Sequence, residues 1–346
     1  MKDHDPAPAA QKARPEALSR RAFLWRLAGA GVAAAAVGGI GLSLRDAVGP
    51  AAMENARALA TLGDFAVPAP IAGKPRLAEV HGTDRAAMFT AGVAALGGMA
   101  AFVARGDTVL LKVNAAFAAP AVLGATTSPE LLAAVATACR EAGASRVLVA
   151  DNPINNPESC FEVAGLADAA RATGARLVLP RPALFSPLSL PHGRLLKDWP
   201  VFSGAFAGVT KVITLAPVKD HQRAVASMSL KNLYGLLGGR RNIFHQDING
   251  IIAELGAMLT PTLCVLDGTT VMMTNGPTGG SLSDLRQAGV MYLSADPVAT
   301  DALGVGLLGK TPADLPYLAL AQAAGVGTTD VASLNPVTVN TEPAAG

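Results

Sequence analysis

The residues best suited to chemistry lie between Val218 and Gly250, in the run VKDHQRAVASMSLKNLYGLLGGRRNIFHQDING. This run holds two of the chain's five histidines together with Lys219, Lys231, Arg240 and Arg241, in a sequence with only 16% charged residues. Within it, Ser229-Leu230-Lys231-Asn232-Leu233-Tyr234-Gly235 places Lys231 in an otherwise apolar helical segment. A lysine there either snorkels its ammonium to water or is partly buried with a lowered pKa, ready to act as a base or to hold an anion. His221 and His245 supply two imidazoles. With Asp267 as a carboxylate, they form a set suited to a divalent metal such as zinc or iron(II). The spacing is not HExxH, so the metal reading rests on residue types alone.

The elements that must position these groups alternate between short apolar runs and amphipathic segments. Strands are expected at Arg76–His81, Asp107–Asn114, Arg146–Ala150, Arg176–Leu179, Lys211–Leu215, Thr262–Leu266 and Val290–Leu293. Helices are expected at Thr83–Leu96, with Thr83 as N-cap, and from Ser128, with Pro129 at the first helical position and Gly143 as the stop. Further helices are expected at Glu158–Thr173, Ser229–Leu237, Asp247–Leu259, Pro297–Leu308 (capped by Asp296) and Pro312–Ala324. Such alternation predicts an α/β fold, a mainly parallel sheet flanked by helices. Residues 180–200 hold five prolines and read as a long excursion, a connector to an inserted or second subdomain.

In open sheets of this kind, ligands bind beyond the carboxyl ends of the strands. Those ends gather Lys112 and Asn114, Asp151 and Asn152, Lys219 and His221, Asp267, and Asp296. The Ala125-Thr126-Thr127-Ser128 turn opens a helix and reads either as a plain capping turn or as a cradle for a phosphate or carboxylate, with Lys112 supplying the opposite charge. Neither GxxxxGK[ST] nor GxGxxG occurs in a strand-to-helix context, which argues against nucleotide-binding loops of those kinds.

Composition narrows the class further. The chain has 346 residues, 51% hydrophobic but only 4% aromatic, which fits helices packed tightly on a sheet through Ala, Val and Leu. Residues 1–46 carry seven Lys/Arg against four Asp/Glu, which leaves a net of −1 for the rest of a chain of formal charge +2. A nearly neutral body gives no electrostatic case for nucleic acid. Ser19-Arg20-Arg21-Ala22-Phe23-Leu24 precedes the weakly apolar Leu27–Leu44, in which 11 of 18 residues are Ala or Gly. This leader resembles a twin-arginine export signal. The resemblance implies the twin-arginine translocase as a partner and a periplasmic destination. Contact with a membrane would come only through an uncleaved leader, and Ala56-Arg57-Ala58 is a candidate cleavage region. The expected organisation is a leader at 1–46, a linker at 47–75, an α/β domain at 76–310 and a C-terminal helix and tail at 311–346.

Several short motifs stand in a fixed order: Lys112-x-Asn114, Ala125-Thr126-Thr127, Lys219-x-His221, Leu230-Lys231-Asn232-Leu233-x-Gly235, Asp267-Gly268 with Gly276-Pro277, and Asp296-Pro297-Val298-Ala299-x-Asp301. In this order they resemble the domain-of-unknown-function family DUF362, over roughly residues 76–310. The resemblance implies an α/β fold and no assigned activity. Some members resemble iron–sulfur proteins through ferredoxin-type cysteine motifs. Cys139, Cys160 and Cys264 do not reproduce that spacing, so no cluster is carried over. Two functions remain open. In the first, an exported enzyme holds a small anionic substrate with Lys112, Asn114, Thr126, Thr127, Lys219 and Asp296, while Lys231, Asn232, His221 and His245 handle protons. In the second, a non-catalytic periplasmic protein binds an anion or a metal, or assists another exported factor.

Overall fold

Apolar runs bounded by Gly and Pro turns become strands, and the amphipathic segments between them become helices. The computed structural model describes residues 59–67 and 73–342, together with Arg21. Apart from Arg21, these belong to one compact unit, Ala56–Gly346. The apolar run Leu27–Leu44 and Ala56-Arg57-Ala58 lie outside the described residues. The strands are β1 (Gly63–Asp64), β2 (Leu77–His81), β3 (Thr108–Lys112), β4 (Arg146–Ala150), β5 (Arg176–Val178), β6 (Ser186–Leu188) and β7 (Trp199–Val201). They continue as β8 (Lys211–His221), β9 (Val225–Ser227), β10 (Leu259–Thr260), β11 (Leu263–Met272), β12 (Leu285–Ser294) and β13 (Val337–Asn340). The α-helices are α1 (Arg85–Ala95), α2 (Pro129–Glu141), α3 (Pro157–Val163), α4 (Leu166–Thr173), α5 (Ser229–Asn232), α6 (Ile248–Met258), α7 (Pro297–Gly304) and α8 (Pro316–Ala323).

The main sheet runs β13-β2-β12-β11-β8-β3-β4-β5, with β9 folded back on β8. From β5 through β4, β3 and β8 to β11 every pairing is parallel. β12 is antiparallel to both its neighbours, β11 and β2. Alternation along the strands sends Val109, Leu111 and Ile213 to one face, where Phe89, Leu131, Leu132 and Phe161 of α1–α3 cover them. It sends Leu110, Val212 and Leu266 to the other, beneath Leu230, Ile251, Val298 and Tyr317 of α5–α8. The fold is therefore α/β, a mainly parallel sheet with helices on both faces.

Local departures from the expected elements have physical causes. Asp84, not Thr83, caps α1, accepting from Ala86 N at 2.8 Å and Ala87 N at 3.0 Å, because a carboxylate suits the positive end of the dipole. The helix expected over Glu158–Thr173 breaks into α3 and α4 at Gly165, whose φ of 73° a helix does not allow. The Pro-rich stretch 180–200 forms a short turn and the β6–β7 hairpin. β8 and β11 run past their expected ends to His221 and Met272. Val337–Asn340, within the expected C-terminal tail, pairs with β2 and becomes an edge of the main sheet.

Candidate functional site

β3, β4 and β8 are adjacent and parallel, so their carboxyl ends converge at one edge of the sheet. There Asn114, Asp151, Asn152, Lys219 and His221 meet Lys231 and Asn232 of α5, Tyr234 and Gly235 of the following turn, and Arg241 and His245 from Arg241–Asp247. Together they line a cleft of about 440 Å³, within the range of small-ligand sites. α5 has only four residues, too short to hold itself. The buried Asp301 of α7 fixes its first turn, accepting from Ser229 N at 2.7 Å and Leu230 N at 3.1 Å. Ser229 Oγ also bonds Thr300 Oγ1 at 2.9 Å. The Asp296–Asp301 motif thus serves the Lys231 motif from beneath.

The cleft carries more positive than negative charge. Lys112, wholly buried, pairs with Asp151 at 2.9 Å and donates to Val113 O at 2.6 Å and Asn232 Oδ1 at 3.1 Å. Asp151 also accepts from Ala115 N at 2.6 Å and Asn152 N at 2.9 Å. A Cβ on Gly235 would overlap the Asp151 carboxylate, so the glycine lets the chain pass over that ion pair. Lys219 Nζ donates to Ala125 O at 2.6 Å and to Asn114 Oδ1 at 3.4 Å. Burial, then repulsion from Lys231, lowers its pKa to about 7. Lys231 Nζ sits 4.2 Å from the centre of the Tyr234 ring. Among the described residues it has no hydrogen-bond or ion-pair partner, and burial, then Arg241, brings it to about 7 as well. Arg241 donates to Tyr234 O at 3.4 Å and Leu237 O at 3.3 Å. Asp151 is the only carboxylate on the described cleft walls, and Lys112 already engages it.

The two imidazoles hold opposite tautomers. His221 Nδ1 accepts from Arg223 N at 3.2 Å and Ala224 N at 3.1 Å. Backbone N–H groups only donate, so the neutral ring carries its proton on Nε2. Burial, then Lys231, depresses His221 to about 3, which keeps it neutral. His245 Nδ1 faces Asn242 O at 3.1 Å; a carbonyl only accepts, so Nδ1 holds the proton and Nε2 a lone pair. The rings lie nearly parallel, with centres 6.3 Å apart. The pair therefore offers one donor and one acceptor at Nε2.

Residues 109–306 match the family described as Domain of unknown function (DUF362). The chain belongs to that family. A thylakoid-associated protein of Synechocystis sp. is 30% identical over 245 residues, which cover 68% of this chain and 73% of that protein. No solved structure matches. The family match spans every residue lining the cleft of this DUF362 chain, from Asn114 to Thr278.

Of the residues expected at the DUF362 site, Asn114, Lys219, His221, Lys231, Asn232 and His245 line the cleft, and Lys112 lies directly behind it. The others do not. Thr127 braces the wall, its Oγ1 accepting from Asn114 N and donating to Leu215 O, both at 2.8 Å. Thr126 is buried beside it, away from the cleft lining. Neither threonine lines the cleft: Thr127 holds strand ends together, and the buried Thr126 hydroxyl has no hydrogen-bond partner among the described residues. Asp267 does not join the histidines. Strand alternation turns it towards α1, where Arg85 Nε donates to it at 2.8 Å and Thr269 N at 2.9 Å. The His221–His245–Asp267 metal set therefore does not assemble, and no group of three potential ligands occurs among the described residues. The tautomer of His221 adds a reason: a metal-bound imidazole donates from its other nitrogen, whereas His221 Nδ1 accepts. Asp296 ends β12, the reversed strand, and so lies at the opposite end of the sheet. It caps α7 and accepts from Thr328 N at 2.9 Å. Asp151, Arg241 and Tyr234 were absent from the expected set. Asp151 is legible as a strand-end carboxylate and Arg241 as a cation of the Val218–Gly250 run, but their convergence depends on the strand order.

Proposed function

We propose that this DUF362 protein is an exported enzyme acting on a small substrate that carries an acid group, such as a carboxylate or phosphate. What carries the reading is the charge balance of the cleft: Lys219, Lys231 and Arg241 line it, and its one described carboxylate is already paired with Lys112. Burying cations without counter-charge is costly, and an anionic ligand removes that cost. The acid group would lie between Lys219 and Arg241. Lys231, with its pKa near 7, would be populated as a free amine at neutral pH and serve as the base or nucleophile. His221 would donate from Nε2 and His245 accept there. Export rests on the twin-arginine pattern at Arg20 and Arg21; in cell fractionation, paired lysines at those positions should retain the protein in the cytoplasm, and unchanged export would remove that part of the reading.

Calorimetric titration with phosphate and with oxalate near pH 6.5 tests the site. One-site binding is expected, weakened at least ~10-fold in Lys219→Met and in Arg241→Met, as for loss of one charge-assisted hydrogen bond. Affinity unchanged in both variants, or no binding by the parent chain, would refute it.

A further inference from the structure

The three lysines at the cleft have different surroundings. Lys112 Nζ is spent on Asp151, Val113 O and Asn232 Oδ1. Lys219 Nζ is held by Ala125 O and Asn114 Oδ1. Lys231, also buried but the least deep of the three, makes none of its three donor bonds among the described residues, and its Nζ rests against the face of Tyr234. Of the three amines, only this one has no partner on its nitrogen among the described residues. Two imidazoles with opposite proton states at Nε2 line the same space.

We infer that Lys231 forms an imine with a small carbonyl acid, an aldehyde or ketone bearing a carboxylate or phosphate, bound in this cleft. The inference rests on the reading of the cleft as an anion site and names the substrate class. The Lys231 Nζ lone pair attacks the carbonyl carbon, and the carbonyl π electrons move to oxygen, which is protonated. The nitrogen gives up a proton, forming a carbinolamine. A second proton then carries off the hydroxyl as water while the nitrogen lone pair closes the C=N bond. Amine and carbonyl give imine and water, with no change of oxidation state. His245 Nε2, holding a lone pair, suits the proton leaving nitrogen; His221 Nε2–H suits the oxygen. The protonated imine keeps its positive charge against the Tyr234 ring. Lys219 and Arg241 would hold the acid group, which orients the carbonyl carbon towards Nζ. The lowered basicity of Lys231 favours the nucleophilic free amine near neutral pH.

Borohydride trapping tests this on the full chain. The protein is incubated with glyoxylate or pyruvate, reduced with sodium cyanoborohydride, and mapped by peptide mass spectrometry. The expected result is an adduct on Lys231 at least ~10-fold faster than on any other lysine, slowed to the common rate when oxalate, which binds as an anion but forms no imine, is present in excess. Lys231→Arg should lose the fast adduct and still bind oxalate. Labelling of Lys231 no faster than of other lysines, with oxalate still bound, would overturn the imine and leave the anion site standing. Failure of both oxalate and phosphate to bind would instead bring down the anion reading, and the imine inference with it.

Discussion

Asp301→Ala is expected to cost about 4 kcal/mol of folding stability and to abolish binding in the cleft. The carboxylate is wholly buried and accepts from Ser229 N, Leu230 N and Tyr317 Oη at 2.7, 3.1 and 3.4 Å. Removing it leaves two backbone donors and a hydroxyl without a partner, at about 1–3 kcal/mol each. Burial raises the carboxyl to about 7 despite those bonds, so its environment already strains the charged form. The larger consequence is positional. α5 is a single turn whose start is defined by this carboxylate, and it carries Lys231 and Asn232. Asn232 in turn donates to Lys112 O at 3.3 Å and Leu215 O at 3.4 Å, joining α5 to β3 and β8. Asp301→Asn keeps one acceptor but sets an amide N–H₂ against a backbone donor, and should cost about half as much. Urea denaturation gives both values; an alanine variant within about 1 kcal/mol of the parent would show that α5 is held by other contacts.

The free protein should become more stable as pH rises from 7 to 8.5, by up to about 1.4 kcal/mol per pH unit for each of Lys219 and Lys231. The sign follows from proton counts. In the unfolded chain a lysine titrates near 10.5 and stays protonated across this range, whereas the folded pair loses protons from about 7 upward. The unfolded state binds more protons, so stability increases with pH. Asp301, at about 7, and His221, at about 3, act mainly below this window. Cys139 and Cys264, whose thiols burial pushes upward from 9.0, act mainly above it. Phosphate at saturation should flatten the slope by holding both lysines as ammonium ions. Lys231→Met should remove its share of the slope and raise stability at pH 7, because an apolar group replaces an unpaired buried amine. Denaturation series at four pH values with and without phosphate read out all three effects; a flat or falling stability in the free protein would contradict the assignment.

The layer order was legible because it rests on local pattern. Ser128-Pro129-Glu130 starts α2 as a cap, a proline at the first turn and an acid at the positive pole require. The continuous apolar run at β3 reads as a strand covered on both faces, and it is buried throughout. The convergence of Lys112, Asp151 and Lys219 was half legible: their places at strand ends are local, but their meeting depends on β3, β4 and β8 being neighbours. Asp296 misled for the same reason, since the reversal of β12 that puts it at the far end leaves no mark in the sequence around it. Asp267 misled through side-chain parity: one residue earlier or later, it would face the other layer. Arg85, 182 residues away in sequence, claims that carboxylate by a contact no spacing rule could have indicated.

The most direct measurement is the titration of Lys231 itself, followed by NMR of the labelled lysine side chain with and without phosphate. A buried amine whose missing counter-charge is the ligand should titrate near 7 in the free protein. It should move upward by at least about one pH unit when phosphate saturates the cleft. A midpoint near the ordinary 10.5 in the free protein, unmoved by phosphate, would contradict both the burial of Lys231 without counter-charge and the anion that is proposed to supply it.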